Sequence, residues 1–183
     1  MRRTTRYEVE EANSLWQIYK TVPFWKVVRN FVVIQTARYT PFLPVKNWLY
    51  KTFLGMEVGN KTAVALMVMM DTMFPEKIKI GENSVIGYNT TILAHEYLIK
   101  EYRLGDVNIG NNVLIGANST ILPGVEIGDG AIVSAATLVH KDVPAGAFVG
   151  GNPMRIIRTK EELEGSIQAD TEQVGNHAPQ EKR

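Results

Sequence analysis

The chain has 183 residues, 45% of them apolar, a net charge of +1 and no cysteine. That length suits one domain with extensions rather than two full domains, and the apolar share is enough to build a core. The near-neutral balance gives no general case for a nucleic-acid binder, and the lack of cysteine removes disulfides, thiolate zinc sites and cysteine nucleophiles while fitting a reducing compartment.

The N-terminus begins Met1-Arg2-Arg3 and turns acidic at Glu8, Glu10 and Glu11, with no apolar signal-peptide core directly behind it. No uncharged apolar run reaches the length of a bilayer-spanning helix. The expected location is cytoplasmic. Residues 1–57 read as a helical extension. Leu15 to Val22 forms a short helix ended by Pro23, and Phe24 to Tyr39 is the best helical stretch. Phe24, Val27, Val28, Phe31, Val32 and Ile34 share one broad face of it, with Lys26, Arg29, Asn30 and Thr36 opposite. Pro41 and Pro44 break the pattern. Val45 to Leu54 forms one more helix, and Gly55 is its natural stop. From Ala12 to Met56 there are six basic residues (Lys20, Lys26, Arg29, Arg38, Lys46, Lys51) and no acidic one, interleaved with all three tryptophans. Two readings of this region stay open. The helices cap the domain and pack against neighbouring subunits, or they make peripheral contact with a membrane carrying anionic lipid.

Residues 58–158 carry an internal repeat that decides the fold. An aliphatic residue recurs at every sixth position, often followed by glycine: Ile80-Gly81, Ile86-Gly87, Ile92, then Ile109-Gly110, Ile115-Gly116, Ile121, Ile127-Gly128, Val133, Val139. Val58, Val64 and Met70 keep the same step. Six fits neither the helical period nor the strand period. It fits a chain that makes a short strand, turns a corner and repeats, so that three sides close a coil of about eighteen residues and the aliphatic side chains stack inside. Gly and the residues Asn83, Asn89, Asn111, Asn112, Asn118 and Asp129 fall near the corners, where positive φ or turn capping is needed. Such a stack has two open ends with unpaired backbone, and the N-terminal helices are placed to cover the first. Residues 159–183 form a polar tail, with a helical turn expected at Lys160 to Leu163.

The repeat is interrupted once. Ile92 and Ile109 are seventeen residues apart, so about five residues leave the coil as a loop within Leu98 to Asp106. His95 sits just before that loop. A regular solenoid gains nothing from extruding a loop, which makes the interruption a functional hint.

At these hexads, the loop after His95, the string IGANSTILPGVEIGDGAIVSAATLVHKDVP and the terminal GGNPMRIIR, the chain resembles the hexapeptide-repeat O-acetyltransferases of the maltose, galactoside and nodulation type. The resemblance implies an all-β solenoid, a left-handed parallel β-helix assembled as a homotrimer, with acetyl-CoA as cosubstrate between neighbouring coils and no metal. It implies His95 as the catalytic base, and Ala117, Ala135, His140, Lys141, Arg155 and Arg158 as cofactor contacts. Asp71 falls near the position where relatives place an acidic residue on the acceptor. Glu96, Tyr102 and Arg103 are further acceptor candidates from the loop, and Glu96 or a backbone carbonyl is a candidate for orienting the His95 ring. The expected reaction is direct acetyl transfer to a hydroxyl of a sugar or small acceptor in a ternary complex. N-acetyl transfer to an amino sugar and a non-catalytic scaffold on the same solenoid are the alternatives. A carbonic-anhydrase-like metal site needs three histidines, and the repeat region holds only His95 and His140.

Overall fold

A computed structural model describes residues 2–162 and 165. Three parallel sheets of very short strands run along the sides of a prism. The first contains Glu57–Val58, Ile78–Ile80, Val107–Ile109 and Glu126–Ile127. The second contains Ala63–Val64, Val85–Ile86, Leu114–Ile115, Ile132–Val133 and Phe148–Gly150, and the third Met69–Met70, Thr91–Ile92, Thr120–Ile121 and Leu138–Val139. The sixfold beat is the register itself. Val58, Ile80, Ile109 and Ile127 stack on one another, as do Val64, Ile86, Ile115, Val133 and Val149, and Met70, Ile92, Ile121 and Val139. All are buried. Each fully buried isoleucine removes apolar area worth about 2 kcal/mol from water, so the repeat supplies the core residue by residue.

The corners divide the labour between glycine and asparagine. Asn83, Asn89, Asn112 and Asn118 have positive φ, a conformation asparagine tolerates. They form ladders: the Asn83 amide donates to Asn112 Oδ1 at 2.8 Å, and the Asn89 amide to Asn118 Oδ1 at 2.9 Å. Asn111 and Asp129 instead accept backbone N–H groups from Glu82 and Asn111, at 2.8 and 2.7 Å. The glycine that follows the aliphatic residue is required for another reason, close approach of coils. A Cβ on Gly116 would lie 2.4 Å from the Ala135 nitrogen, and one on Gly81 would lie 2.6 Å from the Gly110 carbonyl.

Three helices precede the prism: α1 (Ile18–Thr21), preceded by a 3-10 turn at Ser14–Gln17, then α2 (Phe24–Tyr39) and α3 (Leu43–Leu54), of which α2 and α3 cover the first coil. Gly55 ends α3 in the left-handed conformation. Pro44 does not break the chain there. It lies in the first turn of α3, where its missing N–H costs nothing. The buried face of α2 also differs from the one its apolar residues suggest. Asn30, Ile34 and Ala37 are buried, while Phe24, Phe31 and Val32 are exposed. The reason is polar: α2 lies over open backbone, and the Asn30 amide donates to the Thr72 carbonyl at 2.9 Å.

The same logic explains the fully buried Lys46. Its ammonium donates to the Val64 carbonyl at 3.0 Å and the Ala65 carbonyl at 2.8 Å, while the Asn47 amide donates to the Thr62 carbonyl at 2.8 Å. These are edge carbonyls of the first coil, which no further coil pairs. Burial lowers the proton affinity of the Lys46 amine. Changing Lys46→Met keeps the apolar stem but strands two carbonyls. The expected loss is about 2 kcal/mol, read as a lower urea midpoint with an unchanged slope.

At the other end, Arg155–Arg158 folds back antiparallel on Phe148–Gly150. Thr159 and Glu162 then form a reciprocal cap, with the Thr159 N–H on Glu162 Oε2 at 2.8 Å and the Glu162 N–H on Thr159 Oγ1 at 3.4 Å. The expected polar tail lies almost entirely outside the described residues.

The interruptions are larger than the sequence spacing suggests. A regular coil separates stacked residues by 18 positions, as between Asn111 and Asp129. Stacked residues of the first two coils lie 22 apart, and those of the next pair 29 apart. Four residues are therefore inserted after Met70, and eleven, not five, after Ile92. The longer insertion is no irregular loop. His95–Tyr97 and Glu101–Leu104 form an antiparallel hairpin, and Thr5–Glu8 adds a third strand to it, a strand in a region expected to be wholly helical.

Candidate active site

Both insertions occur at the same corner, between the third sheet and the first. They face each other across successive coils, and this brings Asp71 to His95. The Asp71 carboxylate has no exposed surface and His95 Nδ1 lies 2.6 Å from its Oδ2. Four backbone N–H groups complete its surroundings. Ala94 and His95 donate to Oδ2 at 2.6 and 3.1 Å, and Met73 and Phe74 donate to Oδ1 at 2.8 and 2.9 Å. Burial alone would raise this carboxyl. The hydrogen bond and charge of His95, with the N–H groups of Phe74 and Ala94, outweigh it and hold the group below its ordinary range. Asp71 is therefore ionised near neutral pH. An ionised carboxylate only accepts, so in the neutral His95 ring the proton is assigned to Nδ1 and Nε2 carries the lone pair.

The hairpin fixes the ring from the sides. Along its first strand His95 and Tyr97 point to one face and Glu96 to the other. The His95 ring lies edge-on between Phe74, at 6.0 Å between centroids, and Tyr97, at 4.9 Å. Tyr97 is held by a 2.9 Å hydrogen bond between its hydroxyl and Thr21 Oγ1, and it neighbours Tyr102, which stacks on Tyr7 at 4.7 Å. Burial raises the Tyr97 and Tyr102 phenols, keeping both as neutral hydroxyls. The Lys26 ammonium stands 5.1 Å over the Phe74 ring. The His95 side chain keeps 17% of its surface exposed, so the ring is anchored at Nδ1 yet reachable.

Of the acceptor candidates only Tyr102 shares the His95 face. Asp71 is enclosed, and its carboxylate is taken up by the His95 ring and four backbone N–H groups. Glu96 points the other way, where Arg2 donates to it at 2.8 Å, so it does not orient the ring. Arg103, opposite Glu96 in the hairpin, pairs with Glu101. Phe74, Thr21 and Tyr7 were missed as neighbours of the site. No local pattern marks them, and the alternation His95-Glu96-Tyr97 and Tyr102-Arg103 marks only that the hairpin itself is made of strands.

Residues 106–141 match the model of the bacterial transferase hexapeptide family (six repeats). The chain is 70% identical over 172 residues to "Putative acetyltransferase YvoF" of Bacillus subtilis (strain 168), covering 94% of this chain and all of that one. It is 48% identical over 156 residues to SAR0816 of Staphylococcus aureus (strain MRSA252), which carries the same description, covering 85% of this chain and 97% of that one. The chain belongs to the hexapeptide-repeat acetyltransferase family. Solved structures agree on the fold. The acetyltransferase VCA0836 of Vibrio cholerae, complexed with acetyl coenzyme A, matches with a TM-score of 0.63 at 23% identity over 74% of this chain and 87% of that one. A galactoside acetyltransferase in complex with coenzyme A matches with a TM-score of 0.58 at 23% identity over 77% and 84%.

In this acetyltransferase the expected cofactor residues do not gather around His95. Ala117 and Ala135 lie one above the other at the corner between the second and third sheets, where the Ala136 N–H donates to the Ala117 carbonyl at 2.8 Å. His95 is at the next corner, a different edge of the prism. His140 and Lys141 share the His95 corner but follow Val139, further along the stack. The His140 Nδ1 lies 3.2 Å from the Leu138 carbonyl of the strand it follows. Arg155 and Arg158 are exposed on the terminal strand.

Proposed function

We propose that this chain transfers an acetyl group from acetyl-CoA to a hydroxyl of a sugar-like or small acceptor, with His95 as general base. The observation that carries this reading is the Asp71–His95 pair, built where two insertions leave the coils at one corner. Asp71 holds the ring in the tautomer that leaves Nε2 free. Nε2 takes the acceptor's proton as its oxygen attacks the thioester carbonyl. The tetrahedral adduct collapses, the carbon–sulfur bond breaks, and the proton passes from His95 to the departing CoA sulfur. The acetyl group never rests on the enzyme. Tyr102 and Tyr97 line the approach as neutral hydroxyls.

Ala117, Ala135, His140, Lys141, Arg155 and Arg158 are the proposed cofactor contacts, with the cations on CoA phosphates. Because Ala117 and His95 stand on different edges of one prism, a site containing both needs a neighbouring copy that sets its Ala117 edge beside this chain's hairpin. This supports a homotrimer of left-handed β-helices in which each cleft lies between two subunits. Calorimetry tests the cofactor assignment. Acetyl-CoA is expected to bind one site per chain, and Ala117→Trp, which fills the proposed edge, to weaken binding at least tenfold. Unchanged affinity in that variant removes this edge from the cofactor site.

A further inference from the structure

We propose that the outward face of the helical cap is a docking surface for an anionic lipid bilayer. Thirteen large apolar side chains between Leu15 and Phe53 are exposed, among them all three tryptophans: Trp16 at 81%, Trp25 at 76% and Trp48 at 54%. On α2 the residues Trp25, Val28, Val32 and Tyr39 lie opposite the buried stripe of Asn30, Ile34 and Ala37, and so face away from the prism. On α3, Val45 and Trp48 lie opposite Lys46, Tyr50 and Leu54 in the same sense. The aromatics form exposed edge-to-face clusters, Tyr19 with Phe24, Phe24 with Trp25, and Trp48 with Phe53. A monomer surface rarely exposes so many large apolar side chains on one group of helices without a partner.

Charge identifies the partner. No acidic residue occurs between Ala12 and Met56. Of the basic residues there, the fold uses Lys46 on carbonyls and Lys26 on Glu76. Lys20, Arg29 and Lys51 remain at the surface. A cleft of about 610 Å³ between α3 and the first corner adds Lys61 beside Lys51, with Leu43, Trp48 and Asn60 in its walls. Two ammonium groups next to an indole suit a phospholipid phosphate at the depth where indole rings settle. A second copy fits the face less well. Two such faces brought together juxtapose like charges, and residues 12–56 supply no carboxylate to offset them. No helix among the described residues is long and apolar enough to cross a membrane, so the mode is attachment in the interface plane.

Flotation with vesicles of phosphatidylcholine and phosphatidylglycerol at low salt, combined with tryptophan quenching by brominated phosphatidylcholine, tests this on the unmodified chain. The expected result is co-flotation with anionic vesicles, strong quenching, and at least tenfold weaker binding to pure phosphatidylcholine. The combined change Trp16→Ser, Trp25→Ser and Trp48→Ser, with folding checked by circular dichroism, is expected to lower the bound fraction at least tenfold, as is Lys51→Glu with Lys61→Glu. Absence of co-flotation with anionic vesicles overturns the proposal. So does co-flotation without quenching, or a blue shift of tryptophan emission that tracks protein concentration in the absence of lipid, which assigns the face to self-association.

Discussion

Changing His95→Ala is expected to lower turnover about a hundredfold or more, the usual contribution of a positioned general base. The loss should appear in kcat and in kcat/KM for the acceptor alike, because the ring acts on the acceptor's proton in the transition state. Acetyl-CoA affinity should hardly change, since the proposed cofactor contacts do not include this ring. Stability should fall little. Removing the imidazole leaves Asp71 with its four backbone N–H donors, and the ring itself is partly exposed. Stopped-flow or coupled-assay kinetics check the first part, and a thermal melt checks the second. Turnover within a few-fold of the parent, with the fold intact, takes His95 out of the chemistry.

Asp71 behaves differently because it serves both the ring and the backbone. Asp71→Ala strands four buried N–H groups. Asp71→Asn keeps one oxygen and turns an amide N–H₂ towards the donors that the other oxygen served. With two donors left unsatisfied at roughly 1–3 kcal/mol each, the asparagine variant should lose about 3 kcal/mol of stability. Turnover should fall beyond the effect of unfolding, because the imidazole loses the acceptor that keeps its proton on Nδ1. The acid side gives a second readout. The folded Asp71 carboxyl is held below the ordinary 3.8, so the unfolded chain binds that proton more readily. The stabilisation is then fully present above about pH 4 and is lost as pH falls through the lower folded value. The stability gap between parent and Asp71→Asn, measured by urea unfolding at several pH values, should be constant above that point and shrink below it. A gap that widens with acid contradicts the assignment.

What the sequence disclosed depended on period. The six-residue beat is enforced by contact between coils, one aliphatic side chain on the next, so Ile80, Ile109 and Ile127 could be placed from spacing alone. The hairpin was located but underestimated. Seventeen residues between Ile92 and Ile109 fit a short loop after one more coil step as readily as a long insertion, and only the stacking of Ile92 directly on Ile121 decides between them. Helix α2 was visible in its extent but not in its orientation. A face read from apolar content points Phe24 and Phe31 inward, whereas the open end of a solenoid demands hydrogen bonds as well as apolar cover. Asn30 and Lys46 meet that demand, so the polar residues are buried and the aromatics left outside. The partner of His95 was hidden for a similar reason. Asp71 precedes it by 24 positions, a separation of one coil lengthened by the first insertion plus two residues, which no local pattern encodes. Its fit to the site comes from burial and from converging N–H groups.

The most direct test of the central claim is release of free CoA thiol from acetyl-CoA by the full chain, followed against a panel of sugars, simple alcohols and amines. An enzyme that activates a hydroxyl through the Asp71–His95 pair should release thiol only when a hydroxyl-bearing acceptor is present, with one acetyl ester formed per thiol and with the release abolished in the His95→Ala variant. Release that proceeds equally with that variant, or that follows the amines and ignores every hydroxyl acceptor, would contradict it.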